Sequence, residues 1–218
     1  MKKITIISDT HGKHSEITKD LMGGDFLLHC GDAMNGGRNE RELIDFCEWF
    51  SDLDSYKHKI FISGNHCRIF EDYPERANQI ISRYKNISYL EDSFVVLDGI
   101  KIYGTPWQNE FYNWAFNLPK NGIELYNKWE QIPLDTNILI SHSPPFGILD
   151  TVGKSENLGC QLLRNRIGII KPRVHCFGHI HYSSGVKETE DTLFINASVL
   201  NEQYDYVNKP VNIIYKEN

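Results

Sequence analysis

Five short segments each end an apolar run in Asp, His or Asn beside small residues. They are Ser8-Asp9-Thr10-His11-Gly12, Gly31-Asp32, Gly64-Asn65-His66, Ser141-His142-Ser143-Pro144-Pro145 and Gly178-His179-Ile180-His181. Carboxylate oxygen and imidazole nitrogen together suit divalent transition metals such as Mn, Fe or Zn, and a carboxylate has two oxygens with which to bridge a pair of ions. So many imidazoles argue against an all-oxygen magnesium cage. Asp9 and His11, like His179 and His181, are separated by one residue, which an extended segment or tight turn can aim to one side, and the glycines let backbone pass close to an ion. A lone Gly-Asp or a lone His means little. Five such segments in order, using five of the nine histidines, carry the weight jointly.

Residues so far apart share a site only if the fold gathers them. In a sheet of parallel strands, side chains just beyond the carboxyl ends converge on one crevice. The first half of the chain alternates short β-branched runs with helix-like stretches, the pattern of βαβ units: residues 3–7, 26–30 and 59–62 read as strands. Leu43, Phe46, Cys47, Phe50 and Leu53 recur at three- and four-residue spacing and predict an amphipathic helix, with Asn39 as its cap and Glu42 as the N3 partner. Residues 94–97 and 100–103 flank Asp98-Gly99 and predict a hairpin with a type I′ turn. Residues 137–141 and 173–177 read as strands joined by a helix across 158–170, and 193–197 and 211–216 as closing strands. With no internal repeat or composition break, one α/β domain over 1–218 is expected, a two-sheet core with helices outside.

Composition sets outer limits. The 218 residues carry 23 Lys and Arg against 29 Asp and Glu, a net charge of −6. Non-specific nucleic-acid binding needs a dense basic field and is disfavoured. Two divalent ions would nevertheless concentrate positive charge at one place, so a small anion remains a fitting partner. The apolar runs fall far short of the roughly 18 residues of a membrane span. The basic start, Met1-Lys2-Lys3, leads into too short an apolar stretch for a signal peptide, so a cytoplasmic protein is expected. Five cysteines without CxxC spacing support neither a disulfide framework nor a zinc ribbon.

The ordered blocks resemble those of the calcineurin-like metallophosphoesterases: DxH, GD, GNH followed by Asp or Glu, a His in a Pro-rich turn, and GHxH. Tyr103-Gly104-Thr105-Pro106-Trp107-Gln108, Trp114-Ala115-Phe116-Asn117-Leu118-Pro119, Tyr56-Lys57-His58-Lys59 and Phe194-Ile195-Asn196-Ala197-Ser198 resemble the MPPED-type branch. The resemblance covers most of the chain. It implies a four-layer α-β-β-α sandwich with mixed sheets. It also implies that Asp9, His11, Asp32 and His181 hold one metal, and that Asp32, Asn65, His142 and His179 hold a second, with Asp32 bridging. His66 would contact the phosphate and protonate the leaving oxygen. Two ions roughly 3.5 to 4 Å apart can share a hydroxide that attacks phosphorus; Mn is favoured, with Fe, Zn and Ni as alternatives. The activity implied is a phosphodiesterase on small substrates such as cyclic nucleotides. Two rivals stand beside it: a metal-dependent nuclease of the same fold, and a weakly active nucleotide-binding regulatory or scaffold protein.

The second rival is motivated by a departure from the family pattern. Cys67 follows His66 where the family has Asp or Glu, and a neutral thiol neither orients an imidazole nor favours its protonated form. Either His66 is a weakened acid suited to good leaving groups, or Glu71 or Asp72 orients it from the following loop. Elsewhere, Trp107, Phe111, Tyr112, Trp114 and Phe116 form an aromatic cluster that can stack on a nucleobase or pack a loop on the core. Asn35, Arg38 and Arg68 lie near the metal blocks as candidate phosphate contacts, with solvated loop residues as the alternative. Asn196 is a further candidate for substrate contact or for capping a turn. His14, His29, His58 and His175 have no ligand-spaced partner and read as structural.

Overall fold

The strands alternate between two apolar faces, and that alternation builds the layers. The computed structural model describes residues 1–153 and 156–216. Four strands open the chain: β1 (Lys2–Ile7), β2 (Gly24–His29), β3 (Tyr56–Phe61) and β4 (Ile87–Tyr89). Between them lie α1 (His14–Ile17), α2 (Glu40–Ser51), α3 (Ile69–Asp72) and α4 (Pro74–Ile81). The hairpin β5 (Ser93–Leu97) and β6 (Ile100–Thr105) follows, then a two-stranded ribbon, β7 (Gln108–Asn109) and β8 (Asn117–Leu118). Next come α5 (Ile123–Glu130), β9 (Ile138–Ser141), a second ribbon of β10 (Thr151–Val152) and β11 (Glu156–Asn157), and α6 (Gln161–Ile170). The chain finishes with β12 (Val174–Phe177), β13 (Gly185–Glu188), β14 (Leu193–Asn196) and β15 (Val211–Tyr215).

Two mixed sheets result, in the orders β15-β1-β2-β3-β4 and β13-β14-β12-β9-β6-β5. In each the inner strands are parallel, while β15, β13 and β5 pair antiparallel at edges. Ile4, Ile6, Phe26, Leu28, Ile60 and Ile62 of the first sheet meet Ile102, Ile138, Ile140, Val174, Cys176 and Ile195 of the second in one buried core. The opposite faces are covered by helices. Leu27 and Phe61 pack with Leu43, Phe46, Phe50 and Ile80 of α2 and α4, and Leu139, Phe177 and Phe194 pack with Leu125, Trp129, Leu163 and Ile167 of α5 and α6. Strands buried on both faces read as continuous apolar runs, as covered parallel sheets do. The order helix, sheet, sheet, helix is the four-layer sandwich that the resemblance implied. Among the described residues no helix is long and apolar enough to cross a membrane.

Two local expectations change. The helix expected from 158 begins at Gln161, because the Cys160 thiol caps it by accepting from the Leu163 amide at 3.5 Å. The carbonyls of Leu158 and Gly159 instead take the Asn109 side-chain amide, at 3.3 and 3.2 Å. Asn39 caps α2 as expected, accepting from the Arg41 amide at 2.9 Å. Glu42 does not return to the cap, however; it faces the preceding loop. The hairpin turn is as read, with φ of 50° at Asp98 and 80° at Gly99.

Ile140 precedes Ser141-His142 and is fully buried between the sheets. Ile140→Ala is expected to cost roughly 2–5 kcal/mol, read as a lower urea midpoint at unchanged m-value. A loss below about 1 kcal/mol would show that the sheets do not pack through this side chain.

Candidate metal centre

The five motif segments lie where parallel strands end. β1 and β2 run in register to Ile7 and His29, β2 and β3 to His29 and Phe61, and β9 and β12 to Ile140 and Cys176. Beyond those ends, Asp9, Asp32 and Asn65 from the first sheet face His142, His179 and His181 from the second. Backbone bonds zip the loops together: the amides of Asp9 and His11 donate to the carbonyls of Gly31 and Asp32, both at 3.0 Å. The Ser8–Ser198 bridge ties in the segment after β14.

Asp9, His11 and His181 form one cluster of metal-ligand type, Asp9, Asp32 and His142 a second, and His11, Asp32 and His66 a third. His181 Nε2 lies 3.3 Å from Asp9 Oδ1, and His142 Nε2 lies 3.3 Å from Asp32 Oδ2. His11 Nε2 stands 4.0 Å from Asp9 and 3.9 Å from Asp32, is buried, and has no hydrogen-bond partner among the described residues. Separations near 4 Å are too long for a hydrogen bond, yet they suit two ligands of one ion, each about 2.0–2.2 Å from it. His142 Nε2 and His179 Nδ1 both approach Asn65 Oδ1, at 2.9 and 2.8 Å.

Backbone carbonyls select which ring nitrogen faces inward. Nδ1–H of His11 donates to Met34 at 3.1 Å, that of His142 to Cys30 at 3.0 Å and that of His181 to Asn201 at 2.9 Å. Each bond fixes the tautomer that leaves the Nε2 lone pair free to ligate. The donor set therefore fits a pair of divalent transition ions, with Asp32 Oδ2 lying toward both His11 and His142. The carboxylates are held as well: Ser198 Oγ donates to Asp9 Oδ2 at 2.7 Å, the His179 amide to Asp9 at 3.1 Å, and the His66 amide to Asp32 Oδ1 at 2.7 Å.

This crowding strains the backbone. Asp9, His11, Asp32 and His179 all have positive φ, at 56°, 41°, 54° and 69°, a region that costs roughly 1–3 kcal/mol per non-glycine residue and clusters at functional sites. It also requires glycine. A Cβ on Gly64 would sit 2.3 Å from Asp32 Oδ1, and one on Gly178 2.1 Å from Asp9 Oδ2.

Burial alone would raise both carboxyls, but His181 beside Asp9 and His142 beside Asp32 outweigh it and hold both below the usual carboxylate range. Burial likewise opposes the charging of His142 and His181, yet Asp32 and Asp9 lift them to about 9. His11 and His179 are pushed down by burial to about 4 and about 3.

The remaining candidates divide. Asn35 acts through its backbone: its carbonyl accepts from His66 Nδ1 at 2.6 Å. That bond replaces both routes expected for orienting His66. Glu71 accepts from the Phe116 amide at 3.0 Å, and Asp72 pairs with Arg68 at 2.9 Å. Cys67 is buried among the apolar residues around α2 and α4, and its thiol is pushed up by burial to about 12. Arg68 is engaged by Asp72 and the Asn113 carbonyl, and exposed Arg38 lies 3.5 Å from Asp72. Trp107 packs too, its indole N–H donating to Asp92 at 2.8 Å under the Lys128 ammonium. Asn196 is fully buried and donates to the Leu149 and Ile180 carbonyls, bracing the His179–His181 loop. His14, His29, His58 and His175 lie outside the centre, against Asp45, Thr10, Asp98 and Ser141.

A cavity of about 620 Å³ opens beside the cluster, walled by Phe111, Tyr112 and Trp114 from the β7–β8 ribbon and by Lys120. Phe116, by contrast, is in the core. Sequence reading missed Tyr204, whose ring lies 4.7 Å from that of His11 and 5.6 Å from that of His181. It missed Ser198 and Asn201 as well. Ser198 closes a block that carries the family resemblance, but no local pattern shows what Ser198, Asn201 or Tyr204 does, because their roles arise from tertiary packing.

Comparison with known proteins agrees with this geometry. The calcineurin-like phosphoesterase profile matches residues 2–183, and the chain belongs to that family of metal-dependent phosphoester hydrolases. Within it, the chain is 39% identical to metallophosphoesterase domain-containing protein 1 of Homo sapiens, covering 97% of this chain and 70% of that protein. It is 36% identical to UPF0046 protein T07D4.2 of Caenorhabditis elegans, covering 96% and 59%. TT1561 of Thermus thermophilus shares the fold, with a TM-score of 0.64 at 15% identity over 89% of this chain and 88% of that one.

Two outcomes are expected. His142 and His181 titrate at about 9 in the folded chain without metal, above the ordinary 6.5, so they stabilise it below pH 6.5 and that stability is lost as pH rises toward 9. His11 and His179 titrate below 6.5, so the unfolded chain takes up more protons as pH falls. Melting temperatures of chelator-treated protein should therefore peak near pH 6.5, and divalent metal should raise them most on the alkaline side, where protons no longer compete. A flat profile with and without metal would contradict the cluster. Separately, Cys67→Asp should destabilise by roughly 3–5 kcal/mol, as an uncompensated buried charge does; a stable variant with faster turnover would restore the carboxylate reading of position 67.

Proposed function

We propose that the chain is a dinuclear metal-dependent phosphodiesterase acting on small phosphoesters, cyclic nucleotides among them. The observation that carries this is the set of carbonyl-fixed histidines aimed at two buried carboxylates beside an open cavity. Asp9, His11, Asp32 and His181 would hold one ion; Asp32, Asn65, His142 and His179 would hold the other. Mn²⁺ is the favoured occupant, since the mixed oxygen and nitrogen donors suit it. Bound there, the ions supply Lewis-acid charge at the phosphoryl group and a nucleophile at neutral pH.

The chain's own groups do the rest. Asp32 would be shared between the two ions, with its Oδ1 tied to the His66 amide. Asn65 ligates as a neutral amide, so it does not cancel the charge that attracts the phosphoester. His66, its Nδ1 engaged by Asn35, gives a proton through Nε2 to the leaving oxygen. Phe111, Tyr112 and Trp114 offer apolar faces to the leaving group, with Lys120 near them. A small cationic pocket in a chain of net charge −6 favours a compact anion over a long nucleic acid. The five cysteines are unpaired and buried, which supports a reducing compartment, the cytoplasm. Residues 1–218 act as one catalytic domain.

The test is hydrolysis of bis-p-nitrophenyl phosphate against p-nitrophenyl phosphate with Mn²⁺, beside metal analysis. Diester cleavage abolished in Asp32→Ala and His142→Ala is expected, and His66→Asn should slow esters with poor leaving groups by about 10²- to 10⁴-fold. Full activity in those variants would refute the assignment, and bound metal without hydrolysis of either ester would favour a binding module.

A further inference from the structure

We infer that Glu42 is a positioning residue for His66, acting through the loop of residues 35–37. The inference rests on the reading of His66 as the proton donor above. Glu42 is the third residue of α2, and its Oε2 accepts from three successive amides: Asn35 at 2.8 Å, Gly36 at 3.0 Å and Gly37 at 3.4 Å. Successive amides converging on one anion form a nest, whose shape depends on that anion. With its amide turned to Glu42, Asn35 presents its carbonyl to His66 Nδ1 at 2.6 Å. A carboxylate seven residues further along than Asn35 thus orients the imidazole at second hand, where Cys67 cannot.

The loop has little freedom to do otherwise. Gly37 has φ +68°, and a Cβ there would stand 1.5 Å from the His66 carbonyl oxygen. The Gly37 carbonyl in turn accepts from the Ile69 amide at 2.6 Å. The loop is therefore seated against the backbone that carries His66, and its conformation sets the ring. Trp114 stacks on that ring, centroids 4.1 Å apart and planes 28° from parallel. With Nδ1 engaged and the ring covered, Nε2 is the nitrogen left without a protein partner among the described residues, and His66 stands within the His11–Asp32 cluster.

A carboxylate in the first turn of a helix is stabilising in its own right, without any role at His66. The two roles separate in three readouts on the metal-loaded full chain. First, Glu42→Ala should lower kcat on a phenyl diester by about 10- to 100-fold, the usual range for an outer-shell partner. KM should change little, and the loss on the p-nitrophenyl diester, whose leaving group needs less protonation, should be about tenfold smaller. Second, Glu42→Ala in a His66→Asn background should add no further loss, and Glu42→Gln, which keeps one acceptor, should recover part of the rate. Third, in Zn²⁺-loaded protein, ¹⁵N-histidine spectra should show His66 fixed with the proton on Nδ1 in the parent and averaging between tautomers in Glu42→Ala. Glu42→Gln is read in place of Glu42→Ala if the latter does not fold. Equal losses on both esters, further slowing in the His66→Asn background, or an unchanged Nδ1–H signature would overturn the inference. If the parent hydrolyses neither ester, the phosphodiesterase reading fails by itself. The tautomer comparison then decides alone whether Glu42 positions His66.

Discussion

Two carboxylates, Asp9 and Asp32, sit at the seam of two sheets with 0% and 2% of their surface exposed. A buried anion is costly unless it is paired and hydrogen-bonded, and most of what surrounds these two answers that demand. His181 and His142 face them, Ser198 and two backbone amides donate to them, and His11 stands between them. The oxygens that accept from these groups are the ones that ions would engage, so binding of metal there would exchange protons for ions. Affinity for metal and tolerance of alkaline pH are therefore linked properties of one set of atoms.

The sandwich exists to make that seam. Parallel strands place their carboxyl ends at one edge of each sheet, and the apolar core between the sheets brings the two edges together. Left-handed backbone at Asp9, His11, Asp32 and His179 then turns each chain sharply at the strand end. Strain of this kind persists only where the surroundings over-determine it. Here the zipped loop amides and the close glycines at 64 and 178 do so.

Much of this was legible in the sequence, and the division has a physical basis. The strands, α2 and the Asp98-Gly99 turn follow from period and turn chemistry, which are local. The seven metal-ligand candidates were legible because strand ends, small residues and ligand types coincide in short blocks. The supporting groups were not. Ser198, Asn201 and Tyr204 act through contacts between distant segments, and three of the carbonyls that set ring tautomers belong to Cys30, Met34 and Asn35, where any residue supplies the same C=O. Arg38 and Arg68 were candidates by proximity in sequence, Trp107 as part of an aromatic cluster and Asn196 as a strand-end amide; Asp72, Asp92 and the Leu149 and Ile180 carbonyls are the partners that folding gives them, which no local pattern shows. Glu42 had been expected to close its own helix cap, and the amides of loop 35–37 compete for it successfully.

The pairing of β15 with β1, and the bond from Ser198 to Asp9, join segments 207 and 189 residues apart for Thr5–Asn212 and Ser198–Asp9 respectively. Closing such loops is slow, because their entropy must be surrendered before the contact is gained. During vectorial synthesis β1 to β4 can pair early, yet β1 lacks β15, Asp9 its hydroxyl donor and His181 its Asn201 carbonyl until the polypeptide has been made well past residue 200. The centre is thus among the last features to mature, and a half-made chain presents its histidines and carboxylates loosely held. Closure by the 198–204 segment, which supplies the Ser198 hydroxyl and the Asn201 carbonyl, is therefore the step that completes the hold on Asp9 and His181.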